Sequence, residues 1–166
     1  MPTIEVQLPP ESKLPQSLNR LDFCDAYETH LIQSALSVNE VYLAVFGVAP
    51  RWVRLLMFIR GHIINLLGLK PHIHSQSHDF TIGNRVASFK VIATHPNELI
   101  VGDDDKHLNY RISTLKTSRN GNTYITISTA VEIHNRLGQM YMFCVKPFHK
   151  RIAPFMLEAA SRSNRL

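Results

Sequence analysis

The feature that most constrains the fold is an Asn-Gly pair flanked by two long segments in which apolar residues alternate with polar ones. Residues 107–118 and 122–133 carry the period-two pattern typical of β-strands, and Asn120 and Gly121 lie between them. Asn-Gly is the strongest short-range signal for a β-hairpin, because both positions of its tight turn need a positive φ. The sequence therefore predicts two paired antiparallel strands in the second half of the chain.

The same turn fixes which residues share a face of the sheet. Centring it on Asn120 and Gly121 pairs residues whose numbers add up to 241, such as Tyr110 with Val131. Side chains alternate between faces, so a slip of one residue would exchange the two faces. One predicted face is largely apolar, and its members are Leu108, Tyr110, Ile112, Ile125, Ile127, Thr129, Val131 and Ile133.

The opposite face of the hairpin is polar and has three interpretations. It pairs His107 with His134 and carries Asn109 and Arg111. Such a face is the solvated side of an antiparallel sheet, the polar wall of a ligand pocket or an interface. Two histidines that face each other can share a proton or hold a ligand. The sequence leaves these interpretations open.

Helix signals precede the hairpin. Ser37, with Glu40 three residues further on, forms a capping-box pattern and predicts a helix that ends at Gly47. A proline at its start and a glycine after its end predict a second helix over residues 50–67.

The C-terminal segment predicts a long terminal helix over residues 147–162, bent at Pro154. Lys146 precedes a proline, which disfavours helical geometry at that residue. Residues 139–145 are therefore either a last strand or the kinked start of the helix. Further strands are predicted over 22–31, 85–94 and 98–102, with turns over 95–97 and 103–106.

The order of these elements favours an α+β fold. One strand precedes two helices, several antiparallel strands follow, and a helix ends the chain. Long antiparallel strands twist into a curved sheet, and the apolar face of that sheet needs a cover. We therefore expect a helix-grip arrangement, in which a curved antiparallel sheet wraps around the C-terminal helix and leaves a space between the two.

Composition supports one globular domain. The chain has 166 residues, of which 45% are hydrophobic and 19% are charged, and about 150 residues are typical of a single domain. Residues 1–21 are interpreted as an extended, proline-rich lead-in and residues 22–166 as the domain. Cys24 and Cys144 fit no metal or redox spacing, so we expect two buried, reduced thiols rather than a disulfide.

Charge and hydropathy limit the expected partners. The net charge is +5, but the basic residues are scattered, so we expect no nucleic-acid binding. The longest apolar run, residues 55–59, is too short to span a bilayer, and the N-terminus lacks the pattern of a secretory signal. We therefore expect a cytoplasmic protein without membrane insertion, in which the apolar segment 51–69 is buried. The sequence does not determine the oligomeric state.

Several short motifs together carry a family resemblance. They are APRWV at 49–53 with Arg60, GLK at 68–70, ELIVGDDDKHLNYR at 98–111, HNRLG at 134–138 with Tyr141, and PFH at 147–149. In their order and spacing the chain resembles the bacterial family known as domain of unknown function 2867. The resemblance implies a relation to the START and polyketide-cyclase (SRPBCC) helix-grip superfamily and a cavity for a hydrophobic ligand. It implies no reaction.

One position departs from the family pattern. The family usually has an acid where this chain has Asn109. An amide does not accept a proton at pH 7, so acid/base chemistry is not expected at that residue.

Two functions fit this fold, and the first is binding of a small hydrophobic molecule between the sheet and the terminal helix. Arg60 lies on an apolar arc of its helix, so it either pairs with a carboxylate of residues 103–105 or binds the ligand. The predicted ligand-binding residues are Trp52, Arg60, Phe89, Tyr110, Arg111, Val131, Tyr141, Phe155 and Met156.

The alternative is an enzyme of the cyclase, dehydratase or hydrolase type on the same scaffold. It would use histidine as a general acid or base. The candidates are His107, His134 and His149.

Neither a metal nor a cofactor is expected. Asp103, Asp105 and His107 offer mixed ligands, but a tight acidic turn explains the aspartates. The histidines of the loop over 70–79 are interpreted as part of a basic, polar surface. The chain also lacks a Gly-rich dinucleotide fingerprint.

Overall fold

The computed structural model describes residues 3–47, 78–163 and 165–166. Within them the chain forms one sheet of antiparallel strands, and this confirms the predicted curved antiparallel architecture. The strands are β1 (Ile4–Glu5), β2 (Phe23–His30), β3 (Arg85–Val86), β4 (Phe89–His95), β5 (Glu98–Asp104), β6 (Leu108–Arg119) and β7 (Asn122–Ile133). Their order across the sheet is β1-β2-β7-β6-β5-β4-β3.

Two α-helices accompany the sheet in the described part of the chain, α1 (Val38–Phe46) and α2 (Arg136–Arg162). A short 3-10 helix over Leu14–Ser17 precedes β2. Helix α2 contacts β2 and β7, whereas α1 contacts β5, β6 and α2. Both helices therefore lie on one side of the sheet, as the helix-grip arrangement requires.

The β6–β7 hairpin has the predicted register. Tyr110 lies opposite Val131 and Arg111 lies opposite Ala130. Asn120 has a φ of 52° and Gly121 a φ of 77°, which are the left-handed conformations that a two-residue hairpin turn requires. Because this register fixes both faces, the hairpin sets the inner and outer surfaces of the sheet.

The predicted strand over residues 85–94 is wrong as a single element. The chain reverses at Ala87 and Ser88, so that Val86 pairs with Phe89 across a two-residue turn. Ala87 has a φ of 55°, which alanine rarely adopts and which no strand pattern reveals. Two short antiparallel strands, β3 and β4, therefore replace the single strand.

The predicted turn over residues 103–106 is also displaced. Strand β5 continues through Asp104, which pairs with Asn109, and the reversal follows at residues 105–107. Acidic residues disfavour strands, but both carboxylates have arginine partners. Asp103 pairs with Arg85, and Asp104 pairs with Arg111. These ion pairs explain the longer strand.

Helix α1 follows the sequence prediction closely. The Ser37 side chain accepts a hydrogen bond from the Glu40 backbone N–H at 3.3 Å. The Glu40 carboxylate accepts one from the Ser37 backbone N–H at 2.8 Å. This capping box starts the helix, and Gly47 caps its end as predicted.

Helix α2 begins earlier than predicted and resolves the two alternatives for residues 139–145, which are helical. The Asn135 side chain caps the helix by accepting a hydrogen bond from the Gly138 N–H at 3.1 Å. Pro147 lies inside the helix and has no backbone N–H. The backbone oxygen of Phe143 therefore lacks the hydrogen bond that residue 147 would otherwise donate to it. Phe143 lies on the exposed side of the helix, where water can satisfy that carbonyl.

The two sides of the sheet have different covers. The helix-facing side, which contacts α1 and α2, holds the main apolar core, with Tyr42, Val91, Leu99, Ile125 and Leu157 among its fully buried residues. The outer side is covered by the N-terminal segment 3–20, whose Leu14 packs on Ile100 and Ala130. The proline-rich start of the chain is thus a cover for the sheet.

Some predicted features fall outside the described residues, and one prediction about the cysteines is wrong. The helix predicted over 50–67, with Trp52 and Arg60, and almost all of the loop over 70–79 lie outside the described residues. Cys24 and Cys144 are free thiols, but both are exposed, so the prediction of buried thiols was wrong. Cys24 lies on the outer side of β2 and Cys144 on the solvent side of α2, where neither is covered.

Candidate functional site

The helix-facing side contains a cluster in which one imidazole joins two strands. His149 Nδ1 lies 3.1 Å from Asp25 Oδ2, and His149 Nε2 lies 3.3 Å from Thr129 Oγ1. Both ring nitrogens of His149 therefore have polar partners from the sheet. We refer to Asp25, Thr129 and His149 as the histidine cluster.

The fold positions these three side chains directly. Asp25 on β2 and Thr129 on β7 are opposite residues in the antiparallel ladder, and such pairs have their Cβ atoms about 5 Å apart on the same face. Helix α2 lies over these two strands and places His149 above the pair. The start of α2 approaches the residues before β6 closely, because a Cβ at Gly138 would lie 2.2 Å from the backbone oxygen of His107.

Asp25 is the most constrained member of the cluster. Its side chain is only 2% exposed, whereas that of His149 is 24% exposed. Asp25 Oδ2 faces the imidazole, but Oδ1 is buried and accepts no hydrogen bond of normal geometry from the described residues. A buried carboxylate oxygen without a donor is costly, so this atom calls for a functional explanation.

The neighbouring Tyr27 responds to this environment. It is buried on the same face of β2 as Asp25. Burial raises the pKa of the Tyr27 phenol to about 12, and the negative charges of Asp25 and Glu5 and a side-chain interaction with Asp25 act in the same direction. Tyr27 is therefore a neutral hydrogen-bonding group at physiological pH.

Aromatic and apolar side chains surround the cluster. The Phe23 ring meets the His149 ring edge-to-face, with centroids 6.0 Å apart. The Phe23 ring also contacts a cation, because Lys146 Nζ lies over it at 5.4 Å from the ring centroid. A buried apolar group next to them consists of Leu108, Val131 and Met142, with Tyr110, Tyr141, Phe23 and Ile133 packed against it.

The structure brings several of the predicted ligand-binding residues together on this side. Tyr110, Val131 and Tyr141 belong to the apolar group beside the cluster. Tyr110 also meets Phe89 edge-to-face at 6.1 Å, and Phe89 and Met156 belong to the main core. These five residues therefore belong to connected apolar clusters on the helix-facing side of the sheet.

Two predicted ligand-binding residues lie elsewhere. Phe155 is 39% exposed and does not belong to the buried side of α2. Arg111 lies on the outer side of the sheet, where its guanidinium donates to Asp104 Oδ1 at 2.6 Å and to the backbone oxygens of Asp103 and Tyr110. The strand period separates Arg111 from Tyr110, because adjacent residues point to opposite faces.

The other two candidate histidines lie apart from His149. His107 Nδ1 contacts the Asn135 side chain at the start of α2, at 2.9 to 3.1 Å. His134 is exposed. The two are joined through the backbone, where the His134 N–H donates to His107 O at 2.9 Å. The structure shows no contact between their rings.

Sequence reasoning missed Asp25 and Thr129. The alternation of Phe23, Tyr27 and Leu31 already assigns Asp25 to the apolar face of β2. A charged residue at an inward-facing position is a usable signal for a buried polar site. Thr129 gave no such signal, because threonine is common in strands of every kind.

The described residues also bear on metal binding and membrane spanning. These residues contain no group of three or more His, Cys, Asp or Glu side chains arranged to hold a metal ion. None of the helices they form combines the length and apolarity needed to cross a bilayer.

Comparison with known proteins identifies the family. Among solved structures, the chain is similar to CalU16 from Micromonospora echinospora, with 13% identity and a TM-score of 0.35 over 84% of this chain and 86% of that chain. None of the curated proteins compared matches it. The model of one family, described as Protein of unknown function (DUF2867), matches residues 17–156. This match covers most of the chain, which therefore belongs to that family.

Proposed function

We propose that the domain binds a small, largely apolar molecule between the sheet and α2, with the polar end of that molecule at the histidine cluster. The observation that carries this proposal is the buried Oδ1 atom of Asp25, which accepts no hydrogen bond of normal geometry from the described residues. A ligand that donates a hydrogen bond to this atom would remove the cost of burying it unpartnered.

The surroundings define the chemistry of such a ligand. Phe23, Tyr110, Val131 and Tyr141 provide apolar and aromatic surface next to His149. Ligand sites typically combine such surface with a few placed polar groups. The matching ligand has an apolar body and one hydroxyl or amine donor for Asp25.

The test compares two conservative changes of buried carboxylates. Asp25→Asn removes the carboxylate charge and replaces one of its two acceptor oxygens with an amide N–H donor, so that one oxygen must serve both His149 and the ligand. Glu132→Gln makes the same chemical change on the outer side of the sheet. Counted as whole residues with their backbone, Asp25 is 7% exposed and Glu132 is 8% exposed, so both are buried. Binding is measured by displacement of an environment-sensitive hydrophobic dye with small apolar alcohols and amines, followed by mass spectrometry of molecules retained from a lipid extract.

We expect Asp25→Asn to weaken retention of donor-bearing molecules about tenfold, which corresponds to about 1.4 kcal/mol for one lost charge-assisted hydrogen bond. Glu132→Gln should bind like the unmodified protein. Equal loss in both variants would mean that the domain responds to general destabilisation, and absence of binding in the unmodified protein would refute the proposal.

A second candidate function is general acid/base catalysis by His149, in an enzyme of the cyclase, dehydratase or hydrolase type. The specific observation is that Asp25 orients His149 through Nδ1, so that Nε2 is the nitrogen directed at Thr129. An imidazole held by a carboxylate in this way is a recurring arrangement for proton transfer. A substrate would take the place of Thr129 as the partner of Nε2.

One variant of His149 distinguishes catalysis from ligand binding. His149→Gln keeps a hydrogen-bonding side chain but cannot transfer a proton. If His149 is catalytic, turnover of a panel of chromogenic esters should fall at least about a hundredfold in this variant, while dye binding persists. Turnover equal in both proteins, or none above the background rate, would leave ligand binding as the function.

A further inference from the structure

A second surface of the molecule has a composition that the proposed function does not use. Helix α2 exposes five large apolar side chains, and four of them lie in its first half, namely Leu137 (42%), Met140 (54%), Phe143 (83%) and Phe148 (55%). We refer to these four residues as the α2 patch. Exposed apolar residues are common singly, but a group of them on one helix face marks an interaction site.

The geometry of the helix makes this group continuous. With a rotation of 100° per residue, the four residues fall within an arc of roughly 140°. The opposite arc is the one that packs on the sheet, through Gly138, Met142, Met156 and Ala160. Helix α2 is therefore apolar on two sides, and only one of them is buried in the described structure.

The charge of this helix is entirely of one sign over most of its length. Residues 136–157 contain no aspartate or glutamate. They contain four exposed basic residues, which are Arg136, Lys146, Lys150 and Arg151. Two of these have weak partners, because Lys146 lies over the Phe23 ring and Lys150 Nζ is 3.9 Å from Glu5 Oε1. Both remain accessible to a larger anionic surface.

An open hollow lies within the same surface. It has a volume of about 610 Å³ and is lined by Phe143, Cys144, Lys146, Pro147 and Lys150. Two lysines thus flank an apolar depression beside the most exposed phenylalanine. Such a combination of cationic and apolar groups is complementary to an anionic headgroup above an apolar layer.

We infer that the α2 patch docks the protein onto an anionic lipid bilayer. Exposed Phe, Met and Leu side chains on one face of a helix whose residues 136–157 carry Lys and Arg but no Asp or Glu are the features of helices that lie in the membrane interface. The charge complementarity selects the partner, because a bilayer with acidic headgroups attracts all four basic residues at once. The helix lies on the surface and does not cross it, since it continues to pack on the sheet.

The test is sedimentation with lipid vesicles. The purified protein is mixed with vesicles of phosphatidylcholine alone or with phosphatidylglycerol added, at low and at high salt. We expect co-sedimentation with the anionic vesicles at low salt, less with neutral vesicles, and a decrease as salt screens the attraction. The variant Phe143→Ser should bind the anionic vesicles about tenfold more weakly, because it loses one large apolar side chain from the contact.

The control is Ile82→Ser, which removes an exposed apolar side chain elsewhere. Ile82 is 65% exposed and lies in the turn that precedes β3. This variant should sediment like the unmodified protein, and circular dichroism should show that both variants are folded. Equal sedimentation with neutral and anionic vesicles, or with none, would overturn the inference. So would a dimer in solution that Phe143→Ser converts to a monomer, because a second copy would then be the partner.

Discussion

The two sides of the sheet both bury carboxylates, but they treat them differently. On the outer side, Glu98 is 2% exposed and accepts three hydrogen bonds, from the Ser12 hydroxyl at 2.6 Å, the Ser113 hydroxyl at 2.5 Å and the Lys13 backbone N–H at 2.7 Å. On the helix-facing side, Asp25 contacts His149 through one oxygen, and its other oxygen accepts no hydrogen bond of normal geometry from the described residues.

This difference indicates a structural role for Glu98 and a functional role for Asp25. A fully hydrogen-bonded carboxylate such as Glu98 fastens the N-terminal segment to the sheet, and its removal leaves buried donors without an acceptor. A partly satisfied carboxylate such as Asp25 weakens the fold unless another molecule completes its hydrogen bonds. Sites that are poor for stability are often good for binding or catalysis.

The largest expected effect comes from changing a buried carboxylate to an amide on each side of the sheet. Glu98→Gln should lower the free energy of unfolding by about 2–3 kcal/mol, because an amide cannot accept all of the bonds that the carboxylate accepts. Asp25→Asn should change it by less than about 1 kcal/mol, or raise it, since it removes a buried charge. Urea unfolding measures both values.

Equal destabilisation by these two changes would contradict the distinction between the two sides. Ser113→Ala provides a further control on the outer side. It removes one of the three donors to Glu98, so its cost should lie between those of the other two variants.

A smaller effect concerns pH. The pKa of Tyr27 is raised to about 12 in the folded protein, chiefly by burial, and is about 10 in an unfolded chain. The folded state thus retains the proton when the unfolded state has lost it. The resulting stability is complete below about pH 10 and is lost as the pH rises toward 12.

Urea unfolding at several alkaline pH values tests this expectation. Tyr27→Phe should make the decline in stability above pH 10 shallower than in the unmodified protein. Tyr124→Phe removes a hydroxyl from the outer side of β7 and serves as the matched control. An unchanged slope in Tyr27→Phe would show that the burial of this phenol does not drive alkaline unfolding.

The smallest effect concerns the β6–β7 turn, which fixes the register of both faces of the sheet. Gly121 has a φ of 77°, so Gly121→Ala should cost about 1 kcal/mol of stability through backbone strain. Asn120→Gly is the control, because glycine accepts the φ of that position without strain. Thermal unfolding compares the two, and ligand binding by the folded fraction should be equal in both. A loss of binding beyond the loss of folded protein would show that the turn acts on the site directly.

Local sequence signals were sufficient where the interactions are short in range. The capping box at Ser37 and Glu40 and the turn at Asn120 and Gly121 each place donors and acceptors within four residues of one another. The sequence therefore predicted α1, the β6–β7 register and the division of residues between the two faces. The curved sheet under a C-terminal helix followed from the order of these elements.

Local signals failed where distant parts of the chain decide the conformation. Strand β5 extends through Asp104 because Arg111 on β6 pairs with it, and Ala87 adopts a positive φ within a turn that contains no glycine, asparagine or proline. Helix α2 begins before Pro147 because Asn135 caps it and packing on β7 holds it. Propensity is weaker than such tertiary contacts.

The sequence by itself determined the strand pairing around Asn120 and Gly121, the faces of those strands and the family to which the chain belongs. Only the tertiary structure decided that His149, of the three candidate histidines, meets Asp25, because these residues lie 124 positions apart in the chain. Alternation assigns a residue to a face, but it does not state which element covers that face. The contact between α2 and β2 creates the site, and no local pattern encodes it.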